Sequence, residues 1–330
     1  MSSVLTVEHL SVHYEVPAGG LFRRHPLTLK AVNDVSFELR AGETLGIVGE
    51  TGCGKSSLGK GVLQLVRPAA GRVLWEGRDL CTLSPAELKA CRKDLQIIFQ
   101  DPLSSLNPRM TIGEIVAEPL EVHRPELGRD ERRRRVDAML DRVGLRPEMQ
   151  SRYPNEFSGG QCQRISIARA MICEPKVIVC DEPVSSLDVS IQAQICNLLR
   201  DLQRDTGVAL LFISHDLSIV RYMSHRVLVM YLGRAMETGP RLSFFGAPRH
   251  PYSQALISAV PVPDPDQADP SRSLVLDGEL PSPMDPPSGC VFRTRCPLAV
   301  PVCITQEPAL VDVAPGHGVA CHRRQDTAPA

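Results

Sequence analysis

Five short runs, Thr44–Val48, Gln96–Phe99, Val177–Cys180, Val208–Ile213 and Arg226–Met230, are apolar almost throughout and show no alternation with polar positions. That is the pattern of strands buried on both faces. Between them lie segments of helical pattern, including Lys55–Val66, Arg129–Val143, Gln161–Ile172 and Ser190–Thr206. Strands buried on both faces and alternating with helices predict an α/β layer architecture over residues 1 to about 255. The helix over Arg129–Val143 contains the run Arg132 to Arg135, but Asp130, Glu131, Asp137 and Asp141 interleave with it. Mixed charge of this kind marks a solvated helix face rather than a nucleic-acid site.

After residue 255 the pattern changes. Eight prolines fall within the 27 residues from Pro261 to Pro287, a density that excludes regular helix and predicts an extended or irregular segment. The chain therefore divides into a main domain, 1–255, and a second part, 256–330, made of a Pro-rich linker and a module with four cysteines. A length of 330 residues agrees with two domains.

Composition adds exclusions. Lys plus Arg number 37 against 38 Asp plus Glu, a net charge of -1. That balance gives no support to broad electrostatic binding of nucleic acid. No stretch of 18 apolar residues occurs, and Met1 to Val16 lacks a basic start followed by an apolar run. A cytosolic protein is expected. Of 11 cysteines, seven (Cys53, Cys81, Cys91, Cys162, Cys173, Cys180 and Cys196) are scattered through apolar or helical patterns, as free thiols in a reducing compartment. Cys290, Cys296, Cys303 and Cys321 cluster within 32 residues.

The candidate chemistry begins at Gly49-Glu-Thr-Gly-Cys-Gly-Lys-Ser56, which follows an apolar strand and opens a helical pattern. Glycines let backbone wrap closely around phosphates, and successive N–H groups at the helix start stabilise the anion. In this motif Lys55 reaches the β- and γ-phosphates and the Ser56 hydroxyl ligates Mg²⁺. A second apolar strand ends in Asp181-Glu182. Asp181 at the strand end can hold Mg²⁺ through water, and Glu182 can polarise an attacking water. Between these motifs, Phe157-Ser-Gly-Gly-Gln161 offers a hydroxyl and backbone N–H groups at another helix start. Ser158 also suits a helix cap.

Taken together these motifs resemble the nucleotide-binding subunits of ATP-binding-cassette transporters. Further matches are Gln100 after a strand, Ser185-Ser-Leu-Asp188, His215 after Leu210–Ser214, and Tyr14 where the family places an aromatic ring against adenine. The resemblance covers roughly residues 3 to 240. It implies a P-loop cassette with a mixed-sheet core and a helical subdomain at about 101–172. It also implies ATP binding by Tyr14, Gly49, Glu50, Thr51, Gly52, Cys53, Gly54, Lys55, Ser56, Ser57, Gln100 and Asp181, with Mg²⁺ on Ser56 and Gln100. Glu182 and His215 are the catalytic residues on this reading. In a head-to-tail dimer Ser158, Gly159, Gly160 and Gln161 contact ATP held mainly by the partner, and Asp188 lies at the interface.

The peripheral segments narrow the resemblance. The insertion Val16 to Leu29, Asp101-Pro-Leu-Ser-Ser-Leu-Asn-Pro-Arg109, Pro248-Arg-His-Pro-Tyr-Ser-Gln-Ala-Leu256 and Gly278-Glu-Leu-Pro-Ser-Pro283 resemble ATPases of bacterial dipeptide and oligopeptide importers. The nearest type is the second ATPase of a dipeptide importer. Importers of nickel, glutathione or other small peptides belong to the same subfamily and remain alternatives. The resemblance implies two membrane permeases, a second cassette ATPase forming a heterodimer, an extracytoplasmic peptide-binding protein, and a peripheral place on the cytoplasmic face of the membrane. A soluble cassette ATPase of translation or DNA repair is the rival class. Such proteins carry two cassettes or a long coiled-coil insertion, and neither occurs here.

The tail reads Cys290-x₅-Cys296-x₆-Cys303-x₁₇-Cys321. Four thiolates can hold a tetrahedral metal or an iron–sulfur cluster. The lack of close Cys-x₂-Cys pairs favours the cluster. Similar tails in peptide-importer ATPases carry [4Fe–4S], so the resemblance implies a structural [4Fe–4S] on these four residues, with zinc, or four unligated thiols, as the alternatives. His317 and His322 flank the last cysteine and are expected to be bystanders.

Overall fold

The computed structural model describes residues 3–17, 27–260 and 279–324. Part of the Val16–Leu29 insertion (18–26) and most of the Pro-rich run (261–278) lie outside the described residues.

Among the described residues there are twelve strands: β1 (Ser3–Val16), β2 (Leu27–Arg40), β3 (Thr44–Val48), β4 (Ala70–Trp75), β5 (Arg78–Asp79), β6 (Leu95–Ile98), β7 (Val177–Asp181), β8 (Ala209–Ile213), β9 (Arg226–Tyr231), β10 (Arg234–Pro240), β11 (Val311–Ala314) and β12 (His317–Val319). The chain forms two compact units, one of Met1–Leu5, Glu38–Thr44 and Leu74–Ile213, the other of Thr6–Phe37, Leu45–Val73 and Ser214–Ala330.

In the first unit β6, β7 and β8 run parallel, with Ile98 opposite Cys180 and Cys180 opposite Phe212. Every residue of β7 and β8 is buried, as the apolar run of each, broken only by Asp181 at the end of β7, requires. The helices of this unit include Ile112–His123, Arg129–Arg142, Gly159–Met171 and Val189–Thr206. The last ends at Gly207, whose φ of 72° supplies the left-handed stop.

In the second unit β3 pairs parallel with β9, β9 pairs antiparallel with β10, and β10 with β12. β12 in turn pairs with β11. The cysteine-bearing tail thus adds two strands to the β3–β9–β10 edge, a pairing its proline content did not suggest. A separate sheet carries the order β2-β1-β4-β5.

Four sequence expectations need adjustment. The Lys55–Val66 helix stops at Val62, because Gln64 takes a φ of 54° and Pro68 lies just ahead. The Gln161–Ile172 helix starts two residues earlier, at Gly159, because Ser158 caps it. The Ser190–Thr206 helix starts at Val189 after the cap residue Asp188. The two long strands β1 and β2 went unpredicted. In β1, Leu5 and Val7 are buried, then Leu10 and Val12. The face switches at His9, whose φ is 52°, and Asp34 does the same in β2 at 60°. These two bulge residues meet, His9 Nδ1 lying 2.7 Å from Asp34 Oδ1. A bulge of this kind breaks the two-residue period that identifies a strand. None of the seven scattered cysteines is in a disulfide; Cys81 is half-buried and the other six are buried.

Candidate nucleotide site

The phosphate loop leaves fully buried β3 at Gly49. A Cβ on Gly49 would stand 2.2 Å from the Met230 carbonyl oxygen, and one on Gly54 2.0 Å from that of Ala31. Gly54 also has a φ of 105° and is the cap of the Lys55–Val62 helix. Only glycine fits either place. The helix's first backbone bond is Leu58 N–H to Gly54, so the amides of Lys55, Ser56 and Ser57 precede that ladder and suit an anion. Lys55 is 5% exposed. Its Nζ donates to the carbonyls of Gly49 at 2.7 Å and Glu50 at 3.1 Å, so the ammonium is already folded over the loop. Burial pushes the Cys53 thiol up, so it stays protonated despite Lys55 nearby. In the same unit, Tyr14 is half-buried on β1. Exposed His215 follows Ser214, whose N–H donates to the Ile47 carbonyl of β3 at 3.2 Å.

The first unit assembles a second set. Asp181 ends β7 and is 6% exposed. Glu182 follows with a φ of 48°, a conformation that costs a non-glycine residue about 1 kcal/mol or more and is held here by its neighbours. Its N–H donates to Ile213, and its carbonyl accepts from the Ser185 amide and hydroxyl. Its Oε2 accepts from Gln100 Nε2 at 3.1 Å. Ser158 caps the Gly159–Met171 helix in a reciprocal box with Gln161. Ser158 and Gly159 are exposed at this helix start. Gly160 packs where a Cβ would stand 2.6 Å from Ile191 Cγ2. Asp188 is exposed at the start of the Val189–Thr206 helix and makes no side-chain cap bond.

Cys296, Cys303 and Cys321 all lie within electrostatic range of Cys290. Cys290 N–H donates to Cys303 at 2.9 Å. Burial, then its three cysteine neighbours, pushes the Cys290 thiol up to about 11. Among the described residues, however, no group of three or more His, Cys, Asp or Glu is arranged to hold a metal ion. The iron–sulfur and zinc expectations therefore rest on sequence alone. His317 fastens β12 to β10 instead, its Nε2 lying 2.7 Å from Glu237 Oε1 with both side chains buried. His322 contacts the Gln306 carbonyl.

Sequence reasoning missed two residues that touch the phosphate loop. Tyr252 Oη accepts from the Glu50 N–H at 2.9 Å. Arg295 Nη1 donates to both Glu50 carboxylate oxygens, at 3.0 and 2.9 Å. Tyr252 lies within the Pro248–Leu256 segment singled out in the sequence, but nothing local pairs it or Arg295 with residue 50.

Known proteins resemble this chain along most of its length. The family described as ABC transporter matches residues 32–185, and the family described as oligopeptide/dipeptide transporter, C-terminal region, matches 236–303. The chain is 56% identical over 319 residues to the oligopeptide transport ATP-binding protein OppF of Escherichia coli, covering 96% of this chain and 95% of that one. It is 50% identical over 319 residues to the oligopeptide transport ATP-binding protein YkfD of Bacillus subtilis, covering 97% and 95%; that relative's name is qualified as putative. Among solved structures, cbiO1 of Clostridium perfringens, part of the ABC transporter complex cbiONQ, matches with a TM-score of 0.64 and 28% identity, covering 74% of this chain and 92% of that one. The ATP-binding cassette MJ0796, in a dimeric post-hydrolysis state bound to ADP and Pi, matches at 0.63 and 27%, covering 72% and 98%. Among the described residues no helix is long and apolar enough to cross a membrane.

Proposed function

This chain belongs to the ABC transporter family, and from that premise we propose that it is the ATP-hydrolysing subunit of a bacterial importer of oligopeptides, dipeptides included. The observation that carries this reading is the identity to oligopeptide transport subunits along nearly the whole chain. The match to the oligopeptide/dipeptide transporter C-terminal region over residues 236–303 agrees with it.

In this reading residues 1–255 form the nucleotide-binding domain, its helical subdomain at about 101–172, and 256–330 the appended linker and module. Lys55 exchanges its two loop carbonyls for β- and γ-phosphate oxygens, while the amides of Gly49 to Ser57 cradle the phosphates and Tyr14 stacks on adenine. Ser56, Gln100 and Asp181 offer the hard oxygen donors that suit Mg²⁺. When bound, that ion neutralises charge developing on the phosphates. Glu182 polarises the attacking water, and His215 holds it and the γ-phosphate. Ser158, Gly159, Gly160 and Gln161 close on ATP held mainly by the partner cassette, and Asp188 acts across that interface. Phosphoryl transfer depends mostly on positioning and charge neutralisation, which two closing surfaces supply.

The partners on this reading are a second cassette ATPase, two permeases and, through them, an extracytoplasmic peptide-binding protein. The subunit then sits peripherally on the cytoplasmic face of the membrane. The four tail thiols are the expected ligands of a [4Fe–4S] cluster with a structural role, zinc being the alternative. Their clustering within 32 residues of sequence supports this.

Reconstitution with the permeases and a second cassette subunit in liposomes tests the proposal. Peptide-loaded binding protein should stimulate ATP hydrolysis and peptide should accumulate inside. Copurification with ribosomes or DNA in place of permeases overturns it.

A further inference from the structure

We propose that Arg295 and Tyr252 are positioning residues of the phosphate loop, which hold Glu50 in place and neutralise its charge so that the loop can accept a polyanion. The inference rests on the reading of Gly49–Ser56 as the ATP site.

Glu50 is the second residue of the loop, and all three of its polar groups are engaged. Its carbonyl accepts from Lys55, its N–H donates to Tyr252 Oη, and its carboxylate takes Arg295 on both oxygens. Two of these three ties come from residues about 200 and 245 positions away. The tail turn that presents Arg295 is itself anchored. Phe292, 1% exposed, packs its ring 5.3 Å from both Tyr231 and Tyr252. Tyr231 and Tyr252 lie 4.8 Å apart, and the Arg295 guanidinium stands 5.9 Å over Tyr231. Backbone bonds from Arg293 to Cys290 and from Arg295 to Phe292 fold the turn.

The plain alternative is a surface ion pair that merely staples the tail, and exposed pairs of that kind contribute little. Here the Arg295 side chain is only 9% exposed and that of Glu50 26%. Without Arg295, a partly desolvated carboxylate would remain in a loop that must receive several negative charges, and in such surroundings the repulsion is weakly screened. The bound phosphates and Glu50 would then compete for the same cation, Lys55. The consequence separates the two readings: a staple is lost whenever either partner is removed, whereas a neutralising pair can be removed together at little cost to ATP affinity.

The test measures binding of fluorescent N-methylanthraniloyl-ATP to the purified full-length chain, with thermal melts as the folding control. Arg295→Gln should weaken binding about tenfold. The double variant Glu50→Gln/Arg295→Gln should recover most of that loss and does not depend on the single variant being stable. Tyr252→Phe, which leaves the Glu50 N–H without its acceptor, should weaken binding roughly threefold. If the wild type binds nucleotide and Arg295→Gln matches it, or if the double variant binds no better than the single, the inference fails while the nucleotide site stands. A wild-type chain that binds no ATP overturns the site itself.

Discussion

The side chains of Gln100 and Glu182, 82 positions apart, meet with Nε2 donating to Oε2 at 3.1 Å. The parallel register of β6 and β7 places Ile98 opposite Cys180. Carried two residues on from that pair, the same register sets Gln100 beside Glu182. Each is a polar residue just beyond the end of its strand. The pair links the residue expected to sense Mg²⁺ with the one expected to orient water, and it follows from strand pairing rather than from either local motif.

Glu182→Gln should bind ATP like the wild type yet turn over ~10²–10⁴-fold more slowly, the usual cost of losing a positioned base. The amide oxygen still accepts from Gln100, so local geometry should survive. Single-turnover hydrolysis with excess enzyme is the measurement, and a near-normal rate removes Glu182 from the catalytic role.

Gly160→Ala should destabilise the fold by about 1–3 kcal/mol, because its Cβ would stand 2.6 Å from the stiff, β-branched Ile191. The intrinsic helix preference of alanine over glycine, about 1 kcal/mol, offsets only part of this. Urea unfolding reads the loss. Combining the change with Ile191→Ala should recover stability relative to the sum of the single variants, and simple additivity would show that the contact is not the cause.

Burial lowers His250 from the ordinary 6.5 to about 4. Its Nδ1 accepts the Tyr252 N–H at 3.0 Å, which requires that nitrogen to be unprotonated. Between those two values the unfolded chain binds the extra proton and the folded chain does not, so stability falls as pH drops from 6.5 towards 4. The contribution reaches about 3 kcal/mol at the lower end. His250→Asn keeps an acceptor at the cap and should flatten the urea midpoint across this window. An unchanged slope would assign the acid sensitivity elsewhere.

Chain purified without oxygen should carry about four iron and four sulfide, bound by Cys290, Cys296, Cys303 and Cys321. Cys296→Ser should lose the metal while the phosphate loop still binds nucleotide. Elemental analysis showing one zinc and no iron would select the zinc alternative, and absence of both refutes a metal-bound tail.

The parts of this protein legible without a structure are those whose chemistry is local. The phosphate loop needs glycines at fixed offsets because neighbouring backbone approaches within contact distance at Gly49 and Gly54. The buried strands needed no partner to be recognised, since both faces are apolar. The helix start at Ser158 announces itself through its capping pattern with Gln161. β1 and β2 escaped because His9 and Asp34 each insert a bulge that interrupts the period. The tail's function as sheet edge and loop support was equally hidden. Glu237 is one acid among many until folding buries it against His317, and Arg295 is one cation among many until folding sets it on Glu50. Local periodicity and motif spacing determine which segments become strands, helices and phosphate loops. Pairings between side chains 80 and 245 positions apart carry no sequence period, and only tertiary packing, which buries both partners together, decides them.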